Sequence, residues 1–134
     1  MIAHLRCMLL AAAVYHLPPR ALPVIAAIEG GAVGMVRPDP NGTADLGLMQ
    51  VNSIWIDPLA RRARLSPAAT RTRLIDDPCF NIAAAALILR TDIDRAGGHF
   101  MRGLGDYHSA TPRLNRLYRE RAWAIATRLF EMHK

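Results

Sequence analysis

Residues 45–52 read Asp-Leu-Gly-Leu-Met-Gln-Val-Asn, a segment that contains the only glutamine of the chain. The residues before them are rich in glycine, proline, asparagine and aspartate, and include the turn dipeptide Asn41-Gly42. Apolar residues lie on both sides of that turn. The pattern therefore predicts a small β-hairpin over residues 35–51, in which Met35-Val36 pairs with residues 48–51.

Proline and glycine divide the rest of the chain into short helical segments. Ser66-Pro67 and Asp77-Pro78 each provide an N-cap followed by a proline at the first helical position. Gly30-Gly31 and Gly97-Gly98 are typical of helix ends. The predicted helices cover 2–16, 20–29, 54–64, 66–76, 77–96 and the segment from Pro112 onward, with 99–110 as a link before the last. The sequence thus predicts one mostly α domain over residues 1–134, with five or six short helices and a minor β element.

Trp55 and Trp123 both lie at apolar positions of predicted helices, which favours a place in the core. Asn52 is predicted to cap the helix that follows it. Neither prediction requires a functional role for these residues.

The charge of the chain favours an anionic partner. Lys and Arg number 17 against 11 Asp and Glu, which gives a formal net charge of +6. Such a balance is typical of proteins that meet nucleic acid, an acidic membrane face or a charged polymer. The arginines between residues 61 and 73 lie along helices without aromatic stacking residues or a DNA-binding helix pair. The sequence therefore argues against nucleic acid.

The N-terminal region imitates a signal peptide without completing one. Its longest apolar run, Cys7 to Tyr15, is shorter than the roughly 20 residues that a membrane-spanning helix needs. Tyr15-His16 and Pro18-Pro19 stand where a cleavage site would have small residues. We interpret the run as the first helix of the folded domain and predict no membrane span. An export signal, if the protein is exported, would precede Met1.

Cys7 and Cys79 are the two cysteines of the chain. Their wide separation does not indicate a metal site, which requires closely spaced ligands, and no metal or other cofactor is predicted. A disulfide in an oxidising compartment and two buried thiols in the cytosol both fit this spacing.

Glu29 ends the apolar second helix. Carboxylates favour helix N-termini, so a carboxylate at a C-terminus with apolar neighbours is expected to have a raised pKa. A general acid that works near neutral pH needs such a shift. Position alone favours a solvent-facing glutamate that merely ends a helix.

Four features in order decide between these interpretations: Glu29, the Gly-Leu-Met-Gln segment at 47–50, the segment 77–82 and the tyrosine-containing segment 107–112. The set resembles the soluble lytic transglycosylases, and most of all their small single-domain members associated with secretion systems and pili. It extends from Cys7 to the last helix. The resemblance implies a lysozyme-like α+β fold with its helices around a saccharide groove.

The resemblance also implies a reaction. Glu29 would protonate the β-1,4 bond between N-acetylmuramic acid and N-acetylglucosamine, and would then act as the base that closes a 1,6-anhydro ring. The backbone around Met49 and the side chain of Gln50 would line the groove near the acetamido group, and Tyr107 would stack on the sugar or donate a hydrogen bond toward Glu29. His108 would bind the substrate in place of the family asparagine, although a structural role fits a lone histidine better. The implied partners are peptidoglycan strands and a secretion or pilus assembly, with the protein acting as a monomer outside the cytoplasm. The resemblance favours a Cys7–Cys79 disulfide as well.

Two positions depart from the family pattern, since Gly30 replaces a common serine and His108 replaces an asparagine. Asp45 is the candidate for a second carboxylate, although a turn-anchoring role fits it better. Two alternatives therefore stay open beside the transglycosylase: a lysozyme-type hydrolase, and an inactive peptidoglycan-binding scaffold.

Overall fold

The structure, a computed structural model, describes residues 2–108 and 112–131. The helices within these residues are α1 (Leu5–Val14), α2 (Ala21–Glu29), α3 (Ile56–Ala63), α4 (Pro67–Asp76), α5 (Pro78–Arg95), α6 (Phe100–His108) and α7 (Pro112–Glu131). The strands are β1 (Val36–Pro38), β2 (Ala44–Leu46) and β3 (Val51–Asn52), and a 3₁₀ turn covers Ser53–Trp55. The mostly α fold with a minor sheet is confirmed.

The segment 99–110 is not the link that the sequence predicts, because α6 occupies most of it. This helix packs closely on α5 through Gly103, where a Cβ would come within 2.5 Å of the Cα of Ile93. Glycine has a low helix propensity, but it allows the two backbones to approach, and the packing outweighs the propensity. The described residues therefore hold seven helices rather than five or six.

The three strands form an antiparallel sheet in the order β1-β2-β3. The predicted hairpin is present, but Val36 pairs with Leu46 rather than with residues 48–51. Residues 47–50 form the turn between β2 and β3, and Leu46 pairs also with Val51. Gly47 and Gln50 have φ angles of +70° and +53°, and this left-handed backbone interrupts the extended chain.

The predicted caps are confirmed. Ser66 Oγ accepts a hydrogen bond from the N–H of Ala69 at 3.0 Å, and Asp77 Oδ1 accepts one from Phe80 at 3.0 Å. Asn52 Oδ1 likewise caps the 3₁₀ turn by accepting from Ile54. These local signals place the helix starts where the sequence expects them.

Trp123 is 71% exposed, so its predicted place in the core is wrong. The buried face of α7 is formed by Tyr118 and Ala122, four residues apart. Trp123 follows Ala122 directly and is turned by about 100° around the helix, away from that face. Trp55 is half-buried and packs against the core.

The core surrounds α5, which contacts α1, α4 and α6. Its buried face, which includes Ile82, Ala85 and Leu89, is fully covered. Cys79 in its first turn forms a disulfide with Cys7 of α1, with the two Cα atoms 5.4 Å apart. Among the described helices, none combines the length and apolar character that a membrane crossing requires.

Asn81 is a polar side chain that lies fully buried on α5. Its Nδ2 donates to the carbonyl of Leu46 at 2.9 Å and to that of Leu74 at 2.8 Å. Its Oδ1 accepts from the N–H of Met49 at 2.8 Å. One amide thus joins the 47–50 turn to α4 and α5 and satisfies three backbone groups inside the core.

We expect Asn81→Ala to lower the free energy of unfolding by at least about 3 kcal/mol, because three buried backbone groups lose their partners at once. Urea denaturation followed by circular dichroism measures the change. Asn41→Ala, at an exposed turn, is the matched control and should cost less than about 1 kcal/mol. Equal losses for both variants would contradict the role of Asn81.

Replacing both Cys7 and Cys79 by Ser should destabilise the oxidised protein by about 4 kcal/mol, since the bridge closes a long loop in the unfolded chain. The denaturation midpoint is measured with and without dithiothreitol. Reductant should lower the midpoint of the wild type and leave the double variant unchanged. A wild type insensitive to reductant would show that the bridge contributes nothing.

Candidate active site

A groove of about 620 Å³ brings together most of the side chains that the sequence singles out. Glu29, Asp45, Gln50 and Tyr107 all line it. The sheet, the end of α2, and helices α5 and α6 contribute its walls. Residues separated by up to 78 positions in the sequence therefore share one concave site.

Glycines hold the end of α2 against the 47–50 turn. Gly30 ends the helix with a φ of +62°, and its N–H donates to the carbonyl of Ala26. At Gly31, a Cβ would overlap the carbonyl oxygens of Gly47 and Leu48. Because any side chain there would push the two segments apart, this contact fixes Glu29 beside the turn. The glycine at position 30 is also explained, since a serine would be strained in the left-handed conformation.

Burial raises the pKa of the half-buried Glu29 from its ordinary value to about 7. The negative charge of Asp45 raises this pKa further, whereas Arg37 and Arg121 lower it. A hydrogen bond from the hydroxyl of Tyr118 to Oε1, at 3.3 Å, also lowers it. A substantial share of this carboxyl group is therefore protonated near neutral pH, a property that a general acid needs.

Tyr118 is a site residue that sequence reasoning missed. The periodicity of α7 assigns it to the apolar face, and the side chain is indeed buried. A buried tyrosine needs a partner for its hydroxyl, and that partner is Glu29, 89 residues earlier. The signal available in the sequence was a tyrosine on a buried helix face.

Tyr107 lies in α6 and is half-buried at the groove wall. Burial raises its pKa, and the charges of Glu29, Asp92 and Asp45 raise it further. Tyr107 is therefore a neutral phenol, with three carboxyl groups close enough for their charges to raise its pKa. The expected contact of Tyr107 with the sugar stays a prediction.

Gln50 is only 7% exposed and is held by its own turn. Its Nε2 donates to the carbonyl of Gly47 at 2.9 Å. Its Oε1 has no hydrogen-bond partner among the residues that the structure describes. Leaving a buried acceptor without a donor lowers the free energy of unfolding by about 1–3 kcal/mol. The oxygen of Gln50 is therefore a position in the groove where the folded protein loses stability.

The side chain of Met49 is fully buried in the core, and its N–H donates to Asn81 Oδ1. It is not among the residues that line the groove. A part for Met49 in substrate binding stays a prediction.

Asp45 belongs both to the groove and to the sheet. Asn52 Nδ2 donates to it at 3.0 Å and also reaches Asp39 at 3.2 Å and Thr43 at 3.0 Å. Burial raises the pKa of Asp45, and the bond from Asn52 opposes that rise. The anchoring role predicted for Asp45 is thus visible, and its carboxylate also faces the groove beside Glu29.

Asp92 and Asp106 complete the acidic lining, and sequence reasoning missed both. Asp92 is half-buried on α5, and burial with the nearby charge of Asp106 raises its pKa to about 6, against the opposing effect of Arg95. Each lies on a helix whose amphipathic pattern gives no sign of a groove.

The side chain of His108 lies outside the described residues, so its predicted contact with substrate stays a prediction. Among the residues that the structure describes, no group of three or more His, Cys, Asp or Glu is arranged to hold a metal ion.

The sequence is similar to one described protein family and to two named proteins. Residues 6–129 match the model of the transglycosylase SLT domain family. Two similar proteins are both named invasion protein IagB. The one from Salmonella typhi is 29% identical over 134 residues, which cover 94% of this chain and 78% of the relative. The one from Salmonella typhimurium is 30% identical over 109 residues, which cover 78% of this chain and 62% of the relative.

The family match includes the helix that ends at Glu29, the 47–50 turn, and the α6 and α7 tyrosines that surround the carboxyl group. The chain belongs to the transglycosylase SLT domain family.

Proposed function

We propose that the protein is a peptidoglycan lytic transglycosylase in which Glu29 serves as general acid and then as general base. The observation that carries this proposal is one half-buried carboxyl group in a large groove, with its pKa raised to about 7. Family membership supports peptidoglycan as the substrate.

The reaction begins with protonated Glu29 donating its proton to the oxygen that links N-acetylmuramic acid to N-acetylglucosamine. The bond from that oxygen to C1 of the muramyl residue breaks as the proton arrives. The Glu29 carboxylate then removes the proton of the muramyl C6 hydroxyl, and O6 bonds to C1. Atoms balance without water, and Glu29 ends the cycle protonated as it began.

The neighbours of Glu29 suit both halves of this cycle. Burial favours the neutral acid before bond cleavage, and the hydroxyl of Tyr118 stabilises the carboxylate that follows. Gln50 lines the groove with an acceptor oxygen that an N–H of the substrate can reach. Tyr107 offers an aromatic wall to the sugar.

A lysozyme-type hydrolase is the second candidate, and Asp45 favours it. Its carboxylate lines the same groove and acts electrostatically on Glu29. A second carboxylate can orient a water molecule or stabilise positive charge at C1. The bond from Asn52 and the sheet register instead tie Asp45 to the hairpin, which is why we place this candidate second.

We further propose that the protein acts as a monomer outside the cytoplasm, in the service of a secretion or pilus assembly. The disulfide supports an oxidising compartment. The assembly is proposed from the sequence resemblance to secretion- and pilus-associated transglycosylases, and two relatives are named invasion proteins. An inactive scaffold on the same groove is the outcome that the activity test below would reveal.

Glu29→Gln should abolish release of 1,6-anhydromuropeptides from purified sacculi, with a loss of at least about 100-fold, because the amide neither donates nor accepts the proton. Mass spectrometry of the released products measures the change. Glu120→Gln, an exposed glutamate on α7 away from the groove, is the matched control and should retain wild-type release.

The product ends separate the candidates in the same experiment. Anhydro ends from the wild type support the transglycosylase, whereas reducing ends that disappear in Asp45→Asn would establish the hydrolase. Release that is unchanged in Glu29→Gln, or absent from the wild type while sacculi are still bound, would exclude Glu29 catalysis.

The first chemical step requires protonated Glu29, so the wild-type rate should fall as pH rises through about 7. Tyr118→Phe removes a hydrogen bond that lowers the pKa of Glu29, and the fall should therefore move to higher pH. Initial rates from pH 5 to 9 measure both curves. Tyr15→Phe is the matched control, because Tyr15 lies at the end of α1 and is not among the lining residues of the groove. It should keep the wild-type dependence of rate on pH. A shift to lower pH in Tyr118→Phe would contradict this assignment.

A further inference from the structure

The charge of the groove is opposite to that of the protein. Five carboxyl groups line it, and no Arg, Lys or His is among its lining residues in the described part of the chain. The lining acids are Glu29, Asp39, Asp45, Asp92 and Asp106. The chain as a whole carries +6. A saccharide with only hydroxyl and acetamido groups has no charge for such a lining to meet.

The five acidic side chains differ in their hydrogen-bond partners. Asp39 and Asp45 share the amide of Asn52 and are engaged within the sheet. Asp92 is half-buried on α5, and the charge of Arg95 acts on it, but no side chain among the described residues donates a hydrogen bond to its carboxylate. Asp106 on the adjacent α6 lies close enough for its charge to act on Asp92. A half-buried carboxylate without a donor is costly unless a ligand supplies one.

Gln50 is a second group in the groove that lacks a hydrogen-bond donor. It is more than nine-tenths buried, lines the groove and has an Oε1 without a donor. Its left-handed φ of +53° shows that the backbone is held in an unfavourable conformation at this position. Both the orphan amide oxygen and the Asp92 carboxylate are acceptors that lack a hydrogen-bond donor, so the missing group is a donor of hydrogen bonds.

We infer that the Asp92–Asp106 side of the groove binds a protonated primary amine of the glycan substrate. An ammonium group carries three N–H donors and the positive charge that the lining lacks. Two parts of a peptidoglycan strand provide this chemistry: the C2 amine of a de-N-acetylated hexosamine, and the side-chain amine of a diamino acid in the stem peptide. The inference rests on the proposed function in taking the groove as the saccharide site.

Calorimetric titration of the full chain with two probes in mildly acidic buffer tests the inference. Tetra-N-acetylchitotetraose is the N-acetylated probe, and chitotetraose, its fully de-N-acetylated counterpart, carries ammonium groups under these conditions. We expect the amine form to bind about tenfold more tightly at low salt, with the preference falling as sodium chloride is added. A second pair, a muramyl peptide with its diamino acid amine free or acetylated, identifies the peptide as the source if the preference appears there.

Asp92→Asn should reduce the preference to less than about threefold, and Asp92→Asn with Asp106→Asn should remove it. Asp57→Asn, an exposed acid on α3 outside the groove, is the matched control and should keep it. Because Asp92→Asn removes an unpaired half-buried charge, the variant should fold with at least wild-type stability, which thermal denaturation checks. The salt series on the wild type needs no variant.

Equal affinity for the acetylated and amine forms in both pairs, or no binding of either, overturns the inference. So does a preference that survives in the Asp92 and Asp106 double variant. These results are independent of product release from sacculi by Glu29, so an active enzyme with no amine preference would refute the inference and leave the proposed function standing.

Discussion

The three hydrogen bonds of the Asn81 side chain are the constraint on which the rest of the site depends. They reach the backbone on both sides of Gly47 and also the last turn of α4. At Gly47, whose φ is +70°, a Cβ would overlap the carbonyl oxygen of Leu74 and the Asn81 amide. The turn therefore has one conformation in which the core stays both packed and satisfied. That conformation aims Gln50 into the groove and leaves room for the close approach of Gly31.

The same packing sets the chemistry of Glu29. A helix that ends against a rigid turn cannot move its last side chain far into solvent, so the carboxyl group remains half-buried. Burial is the largest of the effects on its pKa, ahead of any single neighbour. The charged neighbours adjust this value in opposite directions, with Asp45 raising it and Arg37 lowering it. The raised pKa of Glu29 thus depends on backbone geometry first and on side-chain charge second.

How much of this structure the sequence could predict depends on how far apart in the sequence the interacting residues lie. The caps at Ser66 and Asp77 and the end of α2 at Gly30 are decided by neighbours along the chain, and they are where the sequence places them. The α6 helix was missed, because its glycines have low propensity and its stability comes from packing on α5. The contact of Tyr118 with Glu29 joins positions 89 apart, which periodicity cannot reveal.

The distribution of charge connects the groove to the rest of the molecule. With five of the eleven acidic residues in the groove, the remaining surface is more basic than the net charge of +6 suggests. A polymer that bears carboxylates along its peptides is attracted to that surface at long range, whereas the groove repels the same groups at short range. The two effects are compatible when the anionic side groups point outward and neutral or cationic parts of the strand enter. Under the proposed function, electrostatics would select the orientation of the glycan as well as its encounter, and would present the bond to Glu29 from one side.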